Sequence, residues 1–438
     1  MRFGTDGIRG RANIELTPSI ALDLGRAAAR VLGAPLAVVG GDSRLSTPML
    51  EAALVAGLSS EGVEVHRLGL APTPAVAFEA ARLGAMGVVV SASHNLYHDN
   101  GIKLFAPGGT KLPDDVETRI EAALAELDGP AARDPGPIRD TPPGDGYVEH
   151  LLDALEGRTL TGVRVVVDAA NGAASGLVAD VFQRSGADVV VVHATPDGTN
   201  INAGCGATDP AALQALVTAE RADVGIALDG DADRLIAVDE LGAVIDGDHT
   251  IAICALDMHR RGLLRHDTVV VTVMTNLGFR LAMEETGIHV VETKVGDRYV
   301  LEALLDGGYT LGGEQSGHVI FPDRATTGDG MLTALALLDV MQRSGLALSE
   351  LAAGAMTRLP QVLVNVPVSQ PRPHVADELR AEIRAAEATL GSTGRVLVRA
   401  SGTEPLVRVM VEAETHELAR STADEIARHV HGDVRGDR

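Results

Sequence analysis

Short runs rich in valine, separated by stretches of helical period, organise most of the chain. Ala37–Gly40, Met86–Val90, Val163–Asp168, Val189–His193, Val224–Leu228, Leu235–Val238, Thr268–Val273 and His289–Thr293 each predict a buried strand. Helices between them carry clear punctuation. Thr17-Pro18 supplies an N-cap and a first-turn proline, and Gly33 supplies the stop. Thr47-Pro48 opens another helix, which ends before Gly62. Strand–helix alternation of this kind predicts an α/β fold.

The segmentation that follows is 1–146, 147–245, 246–360 and 361–438. Proline-rich Gly129–Gly146 reads as a linker, and Tyr147–Leu155 as the helix that opens the second unit. The fourth unit has a different rhythm after Gln370–Pro373. A helix is followed by the strand Arg395–Arg399, a polar loop, the strand Leu406–Glu412 and an amphipathic helix, His416–Val430. The tail His431–Arg438 is expected to fray. In three units a strand runs straight into polar residues: Val90 into Ser91–Asn100, Leu228 into Asp229–Arg234, and Leu311 into Gly312–His318. Loops at the carboxyl ends of strands are where α/β proteins place ligands.

Composition narrows the chemistry. Aromatic residues are 2% of the 438 and tryptophan is absent, so the cores must rest on aliphatic side chains. A formal charge of −23 argues against nucleic acid or an anionic membrane as partner. It leaves room for a small anion, because a local cluster of Arg and Lys overrides the global sign at short range. Cys205 and Cys254 form no CxxC pattern and read as small buried hydrophobes in a reduced, cytoplasmic setting. The opening MRFGTDGIRG has no apolar core of a signal peptide. No run reaches the roughly 18 apolar residues of a membrane span.

Four loops carry candidate chemistry. Asp229-Gly230-Asp231-Ala232-Asp233-Arg234 gathers three carboxylates that converge in a tight turn only if a divalent cation sits among them. An EF-hand is disfavoured, since Arg234 stands where that loop needs glycine and the flanks read as strands. A solvated acidic turn is the bland alternative. Ser91-Ala92-Ser93-His94-Asn95, with Lys103 following, offers a hydroxyl nucleophile, although serine-rich turns are common. Gly313-Glu314-Gln315-Ser316-Gly317-His318 offers groups for sugar hydroxyls, or simply a core histidine. Arg399-Ala400-Ser401-Gly402-Thr403-Glu404-Pro405, with Arg408, is a phosphate cradle or an ordinary hairpin turn. Together they supply what phosphoryl transfer to a sugar phosphate requires.

In identity, order and spacing these loops resemble those of the α-D-phosphohexomutase superfamily along the whole chain. Phe3-Gly4-Thr5-Asp6-Gly7-Ile8-Arg9-Gly10 and Gln315 look like the bacterial phosphoglucosamine mutases; the related phosphomannomutases and phosphoglucomutases typically have Met at the latter position. The resemblance implies three mixed α/β domains and a smaller α+β C-terminal domain around a central active-site cleft. It implies a phosphorylated Ser93, and one Mg²⁺ held by Asp229, Asp231, Asp233 and a phosphoserine oxygen. Arg9, Lys103 and Arg234 would crowd the reacting centre, with Lys103, Arg234 and His318 as unranked candidates for moving the proton. His94, Lys294, Glu314 and Ser316 would contact the sugar. Arg399, Ser401, Gly402, Thr403 and Arg408 would hold the far phosphate.

The implied reaction is interconversion of glucosamine 6-phosphate and glucosamine 1-phosphate through a hexose 1,6-bisphosphate. A homodimer is implied as well. The neighbouring readings are a phosphomannomutase or phosphoglucomutase of the same superfamily, a serine-based phosphatase, and a sugar-phosphate sensor. One departure lies in the phosphoserine loop, where Leu96 stands in place of the superfamily's usual proline; this puts the loop's position in question.

Overall fold

A computed structural model of the chain describes residues 3–4, 7–127, 129, 133–401 and 405–432. Thr5, Asp6, Gly402 and Thr403, and the tail beyond residue 432, lie outside them. The described residues form four sheets. They gather into two compact units, Met1–Met274 with Ile288–Ala355, and Thr275–Gly287 with Met356–Arg438.

Three sheets lie in the larger unit. The first has the order Ile8–Arg11, Asp99–Phe105, Met86–Val90, Leu36–Gly41, Glu64–Leu70, Ile138–Asp140. Met86–Val90, Leu36–Gly41 and Glu64–Leu70 run parallel, and the first two are apolar along their length, as strands covered on both faces must be; Asp99–Phe105 runs antiparallel to Met86–Val90. The second is ordered Val244–Ile245, Leu235–Asp239, Val224–Leu228, Arg164–Asp168, Asp188–Val192, and the third His289–Thr293, Thr268–Thr272, Gly312–Gly313, Val319–Ile320. Among the described residues no single helix is long and apolar enough to cross a membrane.

Several expectations need correction. Asp188–Val192 and His289–Thr293 are strands but not buried ones: each pairs on one side only and is half-exposed. Composition does not separate an edge strand from a central one. Gly129–Gly146 is more than a linker, because Ile138–Asp140 adds a parallel edge strand to Glu64–Leu70. The helix expected from Tyr147 starts at Asp145 and tightens into a 3-10 turn at Asp153–Leu155. The strand before the third polar loop is only Gly312–Gly313, beyond Leu311.

The helix Pro18–Leu32 forms as its punctuation predicts. The Thr17 hydroxyl accepts the N–H of Ile20, and Gly33 closes the helix at φ +62°.

The smaller unit is an antiparallel sheet, Gln361–Pro367, Leu406–Glu412, Arg395–Ala400, backed by the helix His416–Gly432. Gln361–Pro367 precedes the stretch at which regular elements were expected to begin. Buried Glu412 ties the helix Leu277–Glu285 to this sheet. Its carboxylate accepts Asn276 Nδ2 at 3.1 Å, the Leu277 N–H at 3.0 Å and Arg395 Nε at 3.0 Å. Burial raises its pKa, and Arg395 opposes that rise. Removing a buried charge's partner leaves the survivor uncompensated. Glu412→Ala should therefore cost about 3 kcal/mol of stability, read from urea unfolding; a loss under about 0.5 kcal/mol would show the anchor to be dispensable.

Candidate active site

The nucleophile candidate sits where a buried strand ends. Met86–Val90 runs into Ser91, and Ser93 takes up left-handed backbone at φ +52°. That conformation costs a non-glycine residue roughly 1–2 kcal/mol. It turns the Ser93 side chain toward the second sheet, where the hydroxyl donates to Asp229 Oδ2 at 2.5 Å. His94 Nδ1 lies 3.2 Å from the same oxygen. Burial, then Arg234 and Arg9, push the His94 imidazole down to about 4, so it is neutral near pH 7.

Asp229, Asp231 and Asp233 follow the strand Val224–Leu228, with Ala232 turned at φ +59°. All three are buried, and one oxygen from each lies within 4.8 Å of the others. Burial, then Asp233 and Asp231, hold the Asp229 carboxyl well above the usual range. Cations and donors answer this crowding. Lys103 Nζ bonds Asp231 Oδ2 at 2.7 Å and Asp233 Oδ2 at 3.0 Å. The Thr73 hydroxyl donates to Asp231 Oδ2 at 2.6 Å, and Arg234 Nε lies 3.8 Å from Asp233 Oδ1.

These residues fit a divalent cation. Asp231 Oδ1 is buried with no hydrogen-bond partner among the described residues, and the donor set is all hard oxygen. A dication would also relieve the repulsion that raises Asp229.

His318 closes another side. Its Nε2 accepts the Gly328 N–H at 3.1 Å, which leaves the proton of the neutral ring on Nδ1, 3.7 Å from Asp233 Oδ1. Burial lowers its pKa, but Asp233 and then Asp297 outweigh burial and leave it raised. The Glu314 carboxylate accepts the Gly296 N–H at 3.0 Å, which joins the loop Gly313–His318 to Lys294–Arg298. Lys294 is exposed, and Ser316 Oγ is buried without a hydrogen-bond partner among the described residues. Gln315 reaches Asp248 at 3.1 Å.

In the smaller unit Arg399 and Arg408 face each other across paired strands. Like charges directly opposite are destabilising. Burial, then Arg408, depress the pKa of Arg399. Ser401 follows, its N–H bonded to Leu406 O. An anion between these arginines would relieve them.

Models of the phosphoglucomutase/phosphomannomutase alpha/beta/alpha domains I, II and III match residues 1–130, 145–242 and 246–359, and that of the C-terminal domain matches 363–429. A phosphoglucosamine mutase of Frankia alni is 57% identical, over 97% of this chain and 97% of its own. One from Salinispora arenicola is 54% identical over 98% of each. The chain belongs to the phosphoglucosamine mutase family. A crystal structure of a putative phosphomannomutase from Thermus thermophilus superposes with a TM-score of 0.81 at 28% identity, covering 98% of this chain and 99% of that one.

In this member of the phosphoglucosamine mutase family, Ser93, His94, Lys103, Asp229, Asp231, Asp233, Arg234 and His318 come together in the larger unit, with Arg9 acting on His94. Glu314, Ser316 and Lys294 line the adjoining loops, while Arg399, Ser401 and Arg408 lie in the smaller unit. Gly402 and Thr403 are outside the described residues. The sequence reading missed Thr73, which bonds Asp231, and Arg44 and Asn202, whose side chains both donate to the Ser93 carbonyl. Arg44 had a signal: Asp42-Ser43-Arg44 is itself a polar stretch following a buried strand.

A Cβ on Gly230 would lie 2.5 Å from Ser93 O and 2.8 Å from Asn202 Nδ2. Gly230→Ala should thus cost about 1–3 kcal/mol in urea unfolding; a neutral result would show that the two loops can part. For the arginine pair, millimolar inorganic phosphate should raise the melting temperature, and Arg408→Gln should shrink that rise. An unchanged rise would place the anion elsewhere.

Proposed function

We propose that the chain interconverts glucosamine 6-phosphate and glucosamine 1-phosphate as an isomerase of the phosphohexomutase type. The observation that carries this is the Ser93 hydroxyl bonded to the first of three buried carboxylates, in a chain more than half identical to phosphoglucosamine mutases along almost its whole length.

On this reading the active form of the enzyme carries a phosphoryl group on Ser93. Asp229, Asp231 and Asp233, together with phosphorylated Ser93, would hold one Mg²⁺. When bound, that ion supplies neutralisation of charge on the transferring phosphoryl group. Lys103 and Arg234 stabilise the same charge from the protein side. The substrate hydroxyl attacks the phosphorus, the bond to Ser93 Oγ breaks, and a 1,6-bisphosphate results. Of the three candidates for taking the hydroxyl proton, the cationic Lys103 and Arg234 have no lone pair to accept it, which leaves the imidazole of His318. The bisphosphate turns over, Ser93 Oγ attacks the other phosphorus, the bond from that phosphorus to the sugar oxygen breaks, and the proton returns to that oxygen. Glu314 and Ser316 orient the sugar with Lys294 and His94, while Arg399, Ser401, Gly402, Thr403 and Arg408 grip the phosphate that is not reacting. That grip favours a mutase over a phosphatase, because hydrolysis needs no hold on a far phosphate. A cytoplasmic homodimer belongs to the same proposal and rests on the family resemblance; sedimentation checks the dimer.

Incubation with a hexose 1,6-bisphosphate should add about 80 Da, the mass of one phosphoryl group, to the wild type and nothing to Ser93→Ala. Turnover should stop on chelation and return with Mg²⁺. Glucosamine 6-phosphate should be preferred over glucose 1-phosphate and mannose 1-phosphate; a tenfold preference for either neutral sugar would transfer the assignment to the phosphoglucomutase/phosphomannomutase branch.

A further inference from the structure

Ser93 is held from behind by a side chain to which no role has been given. Arg44 is buried, and its guanidinium uses all five of its N–H donors. Nε bonds Asp42 Oδ2 at 2.7 Å. Nη1 bonds Leu96 O at 2.5 Å and Asp99 O at 3.1 Å, and Nη2 bonds Ser93 O and Asn95 O, each at 2.8 Å. Four of the five donors therefore end on backbone carbonyls of the one loop that carries Ser93. Asp42 fixes the guanidinium in turn and also accepts the hydroxyls of Thr47 at 2.9 Å and Ser91 at 2.6 Å. The Ser91 hydroxyl accepts the Ser93 N–H at 2.9 Å. Both backbone polar groups of Ser93 thus lead back to Asp42.

Asn202 meets the loop from the second sheet's side. Its Nδ2 donates to Ser93 O and to Asn95 O, each at 2.9 Å, so it shares both acceptors with Arg44 Nη2. Asn202 is itself left-handed at φ +57° and is tied down by its N–H to Ala170 O. Asp168 anchors both flanks of that tie, accepting the N–H of Ala170 at 2.8 Å and of Gly206 at 2.9 Å. The same two carbonyls are therefore gripped from the two sheets whose loops must meet for Ser93 to reach Asp229.

We infer that Arg44 and Asn202 are paired positioning residues, whose shared hold on the carbonyls of Ser93 and Asn95 sets the Ser93 hydroxyl in register with Asp229. This rests on the mutase reading. A strained nucleophile turn drifts unless its surroundings over-determine it, and a misplacement of about 1 Å costs on the order of 100-fold in rate. The pair acts on the position of Ser93, not on substrate binding, so its loss must appear in kcat.

Arg44→Lys keeps the charge beside Asp42 but offers three donors for five; Asn202→Ala removes the second grip without stranding a charge. We expect kcat for glucosamine 6-phosphate to fall at least tenfold in each, with KM within threefold. Phosphorylation of Ser93 by glucose 1,6-bisphosphate, followed by intact mass, should slow by the same factor. The double variant should lose less than the product of the two factors, because both grips act on one turn. Circular dichroism and melting curves establish folding; if Arg44→Lys does not fold, Asn202→Ala decides alone. Variants with kcat within twofold of wild type, or losses confined to KM, would overturn the inference. A wild type that never acquires the phosphate would instead overturn the mutase reading.

Discussion

Three buried carboxylates within one six-residue turn repel each other, and much of the surrounding architecture answers that repulsion. Lys103 comes from a neighbouring strand, Thr73 from the start of a helix, Arg234 from the turn's own end and His318 from the third sheet's loop. Each lowers the free energy of a cluster that would otherwise shed its charge by protonation. None removes the excess of negative charge, and a divalent cation is the remaining complement. The phosphoryl group proposed on Ser93 adds to the same excess.

The placement of Ser93 shows how this constraint reaches the backbone. A serine in left-handed conformation is unfavourable by itself, yet here the Ser93 hydroxyl in that conformation reaches Asp229. Leu96, where the superfamily usually has proline, is exposed, and its carbonyl is bound by Arg44. Hydrogen bonds from a distant side chain thus hold the loop at a position where proline is usual. The loop is positioned in spite of the substitution.

Much of this was legible in the sequence. Valine runs located the central strands, and carboxylates at alternate positions located a cluster that could hold a cation, because both are local patterns. Arg44 and Asn202 were not legible: their targets are backbone carbonyls, which no residue type announces, at separations of 49 and 109 residues from Ser93. Edge strands such as Asp188–Val192 were misjudged as buried because pairing on one side or two is decided by the fold. Glu412 looked like the end of a strand and proved to be the anchor of a helix more than a hundred residues earlier.

The bond between Ser93 and Asp229 spans 136 residues of chain. Neither end means much without the other: a hydroxyl alone is a weak nucleophile, and the acidic turn alone is a crowded set of charges. Recombination between relatives that cuts between these points joins a serine loop from one parent to a carboxylate turn from another. Such a chimaera inherits every chemical group and still depends on two backbones agreeing to within about 1 Å. In that sense the first and second segments are one unit of inheritance, although each builds a sheet of its own.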